Sequence, residues 1–261
     1  MIHVAVNEID LELYIIRHSQ TFGNLGKSME GLSDFDYKDV PLTPKGQRMA
    51  ELLGERFRKY AFDEIYVSGM RRALQTATEI TKRQPENGVH ELKIHPLLSE
   101  NGGKEEEWPG MSFEQAKEMF PHVKMADGYS ENDRLISFTS GWSDAQQLGR
   151  AKKAITYVRD RHGNGQKVAI VAHAAFNTFL CHHIMGLDPD AVIFDPHFLN
   201  TGVTKFYFFK KGTGRYGIDT VLGGDLVDVA FAENLMLSFT LFALKVAHIL
   251  NYAEYRNVHH I

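Results

Sequence analysis

LELYIIRHSQTFGN, residues 11–24, is the stretch that decides the fold, because an apolar run ends there at an arginine and a histidine. The run Leu11–Ile16 is typical of a β-strand, and Arg17 and His18 stand where that strand ends. In an open α/β sheet, ligands bind beyond the carboxyl ends of the strands. The sequence therefore predicts a functional crevice beside Arg17 and His18.

Strand and helix patterns alternate along the rest of the chain. Thr43-Pro44 is typical of an N-cap followed by proline at the first helical position, and apolar residues recur at helical spacing from there to residue 60. Residues 65–67 and 203–209 have strand patterns, and residues 168–172 form an apolar strand of the kind buried on both faces. This alternation predicts an α/β fold, a three-layer α/β/α sandwich with a mostly parallel central sheet.

Composition narrows the class of protein. A chain of 261 residues with 43% hydrophobic and 24% charged residues is typical of one globular domain, here residues 1–261. The net charge of −4 and the lack of a basic cluster argue against a nucleic-acid partner. Neither a signal peptide nor an uninterrupted apolar run long enough to span a membrane is apparent. The single cysteine, Cys181, excludes an internal disulfide and favours a cytoplasmic location.

Two stretches depart from the alternation. Residues 101–141 are rich in Gly, Glu, Asp and Ser, with one short helix pattern near residues 113–120. This stretch is interpreted as an inserted lid or cap over a site, and a plain surface insertion is the alternative. Residues 233–255 predict an apolar helix whose apolar surface exceeds one stripe, so core packing is expected first and a homodimer contact second. The polar face of that helix carries little positive charge, which disfavours a membrane surface.

Four sets of polar residues follow predicted strands and would meet at one edge of the sheet: Arg17 with His18, residues 68–72, Glu100, and His173. An arginine offers a planar fork of donors to the oxygens of a phosphoryl group. A neutral imidazole can attack phosphorus, and a carboxylic acid can protonate the departing oxygen. Phosphoryl transfer requires mainly such positioning and charge stabilisation, so these residues predict that chemistry.

The same residues resemble a known family. Arg17-His18-Ser19-Gln20-Thr21-Phe22-Gly23-Asn24 is similar to the RHG signature of the histidine phosphatase superfamily, the phosphoglycerate mutase-like proteins. Five further blocks occur in the family's order: PLTPKG at 41–46, SGMRRALQTA at 68–77, LLSE at 97–100, VAH at 171–173 and NTGV at 200–203. Together the blocks span roughly residues 11–209, and the ordered set is more specific than any one of them.

The resemblance implies a phosphohydrolase that acts on a small phosphorylated metabolite through a phosphohistidine. It implies His18 as the phosphorylated nucleophile, Glu100 as proton donor and later base, and His173 as a third catalytic residue. The residues that it implies for phosphate binding are Arg17, Arg72, His173, Thr21 and Asn24. Arg71 would point elsewhere on a helix and is left out, and neither a cofactor nor a metal is expected.

Some positions differ from the family pattern. Ser19 and Ala174 replace the glycines that usually follow the two histidines, which keeps open a catalytically weak phosphate-binding protein. Gln20 replaces the glutamate of the mutase branch, and residues 101–103 lack the Arg-x-Tyr-Gly that follows its acid, so a phosphatase is favoured over the alternative phosphomutase. Residues 105–107, three glutamates, are rivals to Glu100 for the role of acid.

Adjacent histidines occur twice, at residues 182–183 and 259–260. Neighbours on a helix point about 100° apart, so neither pair forms an i, i+4 ligand set, and no third ligand accompanies them at a diagnostic spacing. The sequence therefore predicts no metal site.

Overall fold

The structure is a computed structural model that describes residues 8–25, 31–104, 107–186 and 198–210, together with the backbone of residues 216–221. All of these residues lie in one compact unit, residues 1–224. The predicted apolar helix at 233–255 lies outside the described residues, as do the pair at 259–260 and two of the three rival glutamates. Within the described ranges, no helix is both long and apolar enough to span a bilayer.

A seven-stranded sheet forms the centre of the described fold, in the order β4-β3-β2-β5-β1-β6-β7. The strands are β1 (Ile9–Arg17), β2 (Glu64–Val67), β3 (Leu92–Ile94), β4 (Val123–Met125), β5 (Gln166–Ala172), β6 (Val203–Phe209) and β7 (Tyr216–Val221). The neighbours from β4 through β1 pair in parallel, whereas β6 and β7 add an antiparallel edge. The prediction of a mostly parallel α/β sheet is therefore confirmed.

Six α-helices are described: α1 (Asp34–Lys38), α2 (Pro44–Phe57), α3 (Arg71–Thr81), α4 (Phe113–Met119), α5 (Asp144–Arg159) and α6 (Ala174–Met185). Successive side chains of β1 point to opposite faces of the sheet. Tyr14 and Ile16 pack in a cluster with α2 and α3, whereas Leu13 and Ile15 pack in a second cluster with α5 and α6. Helices thus cover both faces of the sheet, as the predicted three layers require.

Strand β5 lies between β1 and β2, and its last five residues are fully buried. A strand with partners on both edges and helices on both faces can expose no polar side chain, which explains its continuous apolar sequence. Its end also determines where the site lies. The amide of His18 donates to Ala172 O at 2.9 Å, and the amide of Ser68 donates to Val171 O at 3.0 Å.

The stretch at 101–141, interpreted from the sequence as an inserted lid or cap, also contributes a strand and buried side chains to this core. The predicted short helix is present as α4, and β4 extends the sheet by pairing in parallel with β3. Met111, Phe113 and Val123 are buried in the same cluster as α2 and α3. A strand of three residues is too short to produce a recognisable alternation, so the sequence pattern did not reveal it.

Candidate active site

The parallel strands bring the predicted residues to one edge of the sheet. Arg17 is the last residue of β1 and pairs in register with Ala172 at the end of β5. His18 and His173 follow these two adjacent strand ends, and their ring centroids are 5.1 Å apart. Both rings are buried, with 4% and 0% of each residue exposed. Two imidazoles from distant parts of the chain therefore face one small space.

His18 is held in the form that can act as a nucleophile. Its Nδ1 lies 2.7 Å from Ser19 O. Because a carbonyl oxygen can only accept, Nδ1 carries the proton, and the lone pair resides on Nε2. Burial lowers the pKa of His18 well below its ordinary value, and the positive charges of Arg72 and Arg17 lower it further. His18 is consequently neutral at physiological pH.

His173 is oriented by Ser68, a residue at the end of β2. Nε2 of His173 lies 2.8 Å from Ser68 Oγ, whereas Nδ1 is buried and has no hydrogen-bond partner among the described residues. If the serine hydroxyl donates to Nε2, the ring proton resides on Nδ1, where it can be donated to an anion. Burial, followed by the charge of Arg72, lowers the pKa of His173.

Two arginines supply positive charge to the same space. Arg72 lies in the first turn of α3, and its Nη2 lies 3.3 Å from Met70 Sδ. A guanidinium nitrogen of Arg17 donates to Phe198 O, and its Nε is buried with no partner among the described residues. Burial lowers the pKa of both guanidinium groups, and the nearby Glu100 carboxylate opposes that effect. Arg71 points elsewhere, as expected, because its guanidinium pairs with Asp36 on α1.

Glu100 reaches the site from the loop that follows β3. Its Oε1 accepts from the amide of Phe176 at 3.1 Å and from the amide of Asn101 at 2.9 Å. Phe176 lies in the first turn of α6, the helix that begins directly after His173. The carboxylate is thus hydrogen-bonded to the same helix end that carries the second histidine. Of the three rival glutamates, Glu107 is described, and it is exposed and pairs with Lys104 at 3.3 Å.

Thr21 and Asn24 form a closed turn immediately after His18. Oδ1 of Asn24 accepts from the amide of Thr21 at 3.0 Å and from its hydroxyl at 3.1 Å. Asn200 Nδ2 donates to this Oδ1 at 3.1 Å and to His18 O at 3.3 Å. Their predicted place at the rim of a phosphate site stays a prediction, because in the structure the two residues are hydrogen-bonded to each other.

The residue after the first histidine is accommodated without filling the site. Ser19 is buried, its hydroxyl donates to Gly46 O at 2.6 Å, and its amide donates to Thr76 Oγ1 at 2.9 Å. The hydroxyl therefore anchors the His18 loop, which begins at His18 and comprises residues 18–20, to α2. Ala174 is the first residue of α6, a position where an alanine is favourable. These contacts remove the main structural reason for expecting a weakened site.

A pocket of about 450 Å³ adjoins Arg72 and Glu100. Its wall includes Tyr37 and Lys38 from α1 and residues 101–104, 107–108 and 136–138 from the stretch around α4 and β4. The loops on either side of α4 and β4 therefore shape the outer wall of the site.

Three residues that support the site received no individual role from the sequence. Ser68 orients His173, and Arg150 on α5 donates to Ser99 O at 2.8 Å beside Glu100. Asp39 is buried, and its two carboxylate oxygens accept from the amide of Arg71 at 3.1 and 3.0 Å, which secures the start of α3 beside Arg72. Burial raises the pKa of Asp39 to about 6. Of these, Ser68 lay within a quoted block, whereas nothing in the sequence pattern singled out Arg150 or Asp39.

Across the described ranges, no three His, Cys, Asp or Glu side chains cluster in a way that could hold an ion. His182 is buried in α6 and lies against Phe179, with ring centroids 6.5 Å apart. Independence from metals stays a prediction that needs an assay.

Comparisons with known proteins agree with the quoted blocks. Phosphoserine phosphatase 1 from Hydrogenobacter thermophilus is 28% identical over 208 residues, which cover 80% of this chain and 85% of that protein. Probable phosphoglycerate mutase GpmB from Yersinia enterocolitica is 29% identical over 181 residues, which cover 69% of this chain and 78% of that protein. The crystal structure of ecdysone phosphate phosphatase from Bombix mori in complex with tungstate has a similar fold, with a TM-score of 0.57 at 16% identity, over 84% of this chain and 95% of that one.

The sequence profile of one family spans most of the chain. Residues 13–215 match the profile of the histidine phosphatase superfamily (branch 1). The match begins within β1, ahead of Arg17 and His18, and includes every predicted site residue. This confirms the resemblance inferred from the six blocks. The chain therefore belongs to branch 1 of the histidine phosphatase superfamily and is an enzyme.

Proposed function

We propose that this enzyme hydrolyses a small phosphomonoester through a phosphohistidine formed on His18. One observation carries the proposal: the buried ring of His18, whose Nδ1 lies 2.7 Å from Ser19 O and leaves Nε2 available for attack, has its centroid 5.1 Å from that of the His173 ring. Arg17 and Arg72 are near enough to lower the pKa of both rings. Such an arrangement supports in-line attack on a phosphorus atom whose oxygens are held by cationic groups.

The proposed reaction has two steps. In the first, Nε2 of His18 forms a bond to phosphorus while the bond to the alcohol oxygen breaks, and Glu100 donates its proton to that oxygen. In the second, the Glu100 carboxylate takes a proton from water, and the water oxygen displaces His18 from phosphorus. Inorganic phosphate leaves, and both His18 and protonated Glu100 are regenerated.

The proposed phosphate cradle consists of Arg17, Arg72 and His173, with Thr21 and Asn24 at its rim. The buried Nδ1 of His173 and the buried Nε of Arg17 support this role, because both lack a partner among the described residues. A buried donor without a partner costs free energy, which a phosphate oxygen would recover on binding.

A phosphomutase remains the alternative, since one relative is named a probable phosphoglycerate mutase. A mutase must return the phosphoryl group from His18 to a second hydroxyl before water attacks. Assaying the interconversion of 2- and 3-phosphoglycerate separates the two activities, and a hydrolase releases inorganic phosphate instead.

The proposal predicts hydrolysis that does not depend on a metal. Release of p-nitrophenol from p-nitrophenyl phosphate should continue in EDTA, because the proposed steps use only side chains of this chain. Vanadate should inhibit, because it adopts the five-coordinate geometry of phosphorus under attack. Activity that disappears in EDTA and returns with a divalent metal would contradict the mechanism.

We also propose a reducing, cytoplasmic location for the enzyme. The one cysteine, Cys181, supports it as a buried free thiol, and burial raises its pKa. A homodimer formed through residues 233–255 stays a prediction, because that stretch lies outside the described residues.

A further inference from the structure

The pocket beside Arg72 and Glu100 has an apolar portion formed by side chains from four separate segments: Tyr37, Met70, Trp108, Ile136 and Phe138. Trp108 is partly buried and packs edge-on against Phe35, with ring centroids 6.4 Å apart. Phe138 is also partly buried against the core. These rings are therefore held in place before a ligand arrives.

The part of this pocket that lies away from Arg72 and Glu100 is called the outer pocket. Its charged residues are already paired with each other. Its two lysines, Lys38 and Lys104, lie 3.0 Å from Asp34 and 3.3 Å from Glu107. All four of these side chains belong to the pocket wall. A carboxylate or second phosphate on the substrate would have to displace a carboxylate that is already there, and would be repelled by it.

We propose that the outer pocket binds a neutral aromatic or alicyclic group, so that the substrates are monophosphate esters of hydrophobic alcohols. The inference rests on the proposed function, because the phosphate must lie at Arg72 and Glu100 for the alcohol to occupy this pocket. A volume of about 450 Å³ suits one or two rings. Amino-acid phosphates, phosphoglycerates and bisphosphates carry the additional charges that this wall disfavours.

The test compares phosphate esters whose leaving groups are all aliphatic alcohols, so that leaving-group acidity does not decide the result. We expect kcat/KM for 2-phenylethyl phosphate to exceed that for ethyl phosphate by roughly tenfold or more, since a buried ring adds binding in the transition state. O-phosphoserine and 3-phosphoglycerate should be poorer than 2-phenylethyl phosphate. Trp108→Ala should lower the ratio between the phenylethyl and ethyl esters by roughly tenfold.

Matched variants keep this test specific. Trp142, the other tryptophan of the chain, is 41% exposed and is not part of the pocket wall, so Trp142→Ala should leave the ratio unchanged. If Trp108→Ala fails to fold, Tyr37→Ala replaces it, because Tyr37 is 59% exposed and should still lower the ratio. A preference for phosphoserine or 3-phosphoglycerate would overturn the inference. A lack of turnover with every ester would instead remove the proposed function.

Arg150 is a buried arginine beside the loop that carries Glu100. This arginine lies on α5 and is 2% exposed. Its guanidinium donates to Ser99 O at 2.8 Å and to Asn101 Oδ1 at 2.7 Å, the residues on either side of Glu100. It also lies over the ring of Phe176, 3.8 Å from the centroid. The amide of Phe176 in turn donates to Glu100 Oε1 at 3.1 Å.

One side chain thus contacts both structures that hold the Glu100 carboxylate: its own loop and the first turn of α6. Burial lowers the pKa of Arg150 to about 10, so the guanidinium remains charged at neutral pH. A planar fork with several donors can bind two chain segments at once, which a lysine cannot do.

We infer that Arg150 is a positioning residue for proton transfer by Glu100. This inference rests on the proposed role of Glu100 as proton donor. A general acid is effective only when held within hydrogen-bond reach of the departing oxygen, so a loosened loop should impair protonation before it impairs phosphate binding.

Leaving-group dependence tests this role. Under the proposed mechanism, kcat/KM reports transfer of the phosphoryl group to His18. Arg150→Met should lower kcat/KM for 2-phenylethyl phosphate by roughly ten- to a hundredfold, because its alcohol must be protonated as it departs. The loss for p-nitrophenyl phosphate should be much smaller, because p-nitrophenol is acidic enough to leave as the anion. Arg150→Lys should restore only part of the loss.

Controls separate positioning from damage to the fold. Arg159→Met removes an exposed arginine from the same helix and should leave both substrates unaffected. If Arg150→Met does not fold, Asn101→Ala removes a single contact of the guanidinium. It should again lower kcat/KM more for 2-phenylethyl phosphate than for p-nitrophenyl phosphate. Equal losses for both esters would overturn the inference. Glu100→Gln is the reference: if it shows no leaving-group dependence, the proposed proton donor is wrong instead.

Discussion

His18→Ala is expected to lower kcat/KM for every phosphomonoester by at least about 10³-fold, the scale seen when a catalytic nucleophile is removed. The variant loses the Nε2 lone pair that would form the bond to phosphorus. Arg17, Arg72 and His173 remain to bind phosphate, so phosphate should still inhibit or protect the protein. Steady-state assays of the purified variant with p-nitrophenyl phosphate measure the loss.

His122→Ala is the matched control for this substitution. His122 is exposed just before β4, and its backbone oxygen, not its ring, accepts the amide of Leu92 at 2.9 Å. Its activity should equal that of the parent enzyme. Acid-labile phosphate should become attached to the parent enzyme during turnover and be absent from His18→Ala. A His18→Ala enzyme that retains a tenth of its activity would show that another group attacks phosphorus.

Gly46→Ala is expected to destabilise the fold by about 3 kcal/mol, the upper part of the usual range for over-packing. A β-carbon at Gly46 would lie 1.9 Å from the backbone oxygen of Gln20, in the loop that follows His18. The same loop is tied to α2 by the Ser19 hydroxyl, 2.6 Å from Gly46 O, and by the amide of Thr43, 3.0 Å from Gln20 O. Neither backbone can move without breaking these bonds. We expect the melting temperature to fall by about 6–12 °C.

Gly149→Ala is the control, and it should change the stability of the fold in the opposite direction. Gly149 is exposed on α5, and a β-carbon there would meet nothing within 4 Å. Replacing a helical glycine by alanine stabilises by about 0.5–1 kcal/mol, so its melting temperature should rise slightly. Gly46→Ala should also lose activity, because the same displacement moves His18 away from His173. Thermal unfolding that matches the parent would show that the close contact of α2 with the His18 loop is not required.

Local patterns in the sequence were enough for most of the core and for the residues that meet at the ends of β1 and β5. The apolar run of β5 and the run that ends at Arg17 were visible because strands buried on both faces must be apolar throughout. The positions of His18 and His173 followed from a topological rule, since parallel strands end at one edge of a sheet. The six ordered blocks identified the family, and the profile match over 13–215 confirmed it.

Short elements and edge strands were not visible in the same way. β3 and β4 have three residues each, too few to establish a period of two. β4 therefore remained hidden inside a stretch interpreted as an insertion. These strands form because neighbouring strands offer unpaired backbone groups. Their formation therefore depends on the rest of the sheet more than on their own side chains.

The sequence by itself determined the α/β fold, the family and the two strand ends that carry His18 and His173, because periodicity, strand ends and block order are properties of nearby residues. The tertiary structure alone decided how those residues are oriented. Ser68 and His173 are 105 residues apart, and Arg150 and Ser99 are 51 apart, yet each pair forms a hydrogen bond of 2.8 Å. No local pattern encodes such pairs, because they arise only when helices and strands pack and leave buried donors that must find acceptors.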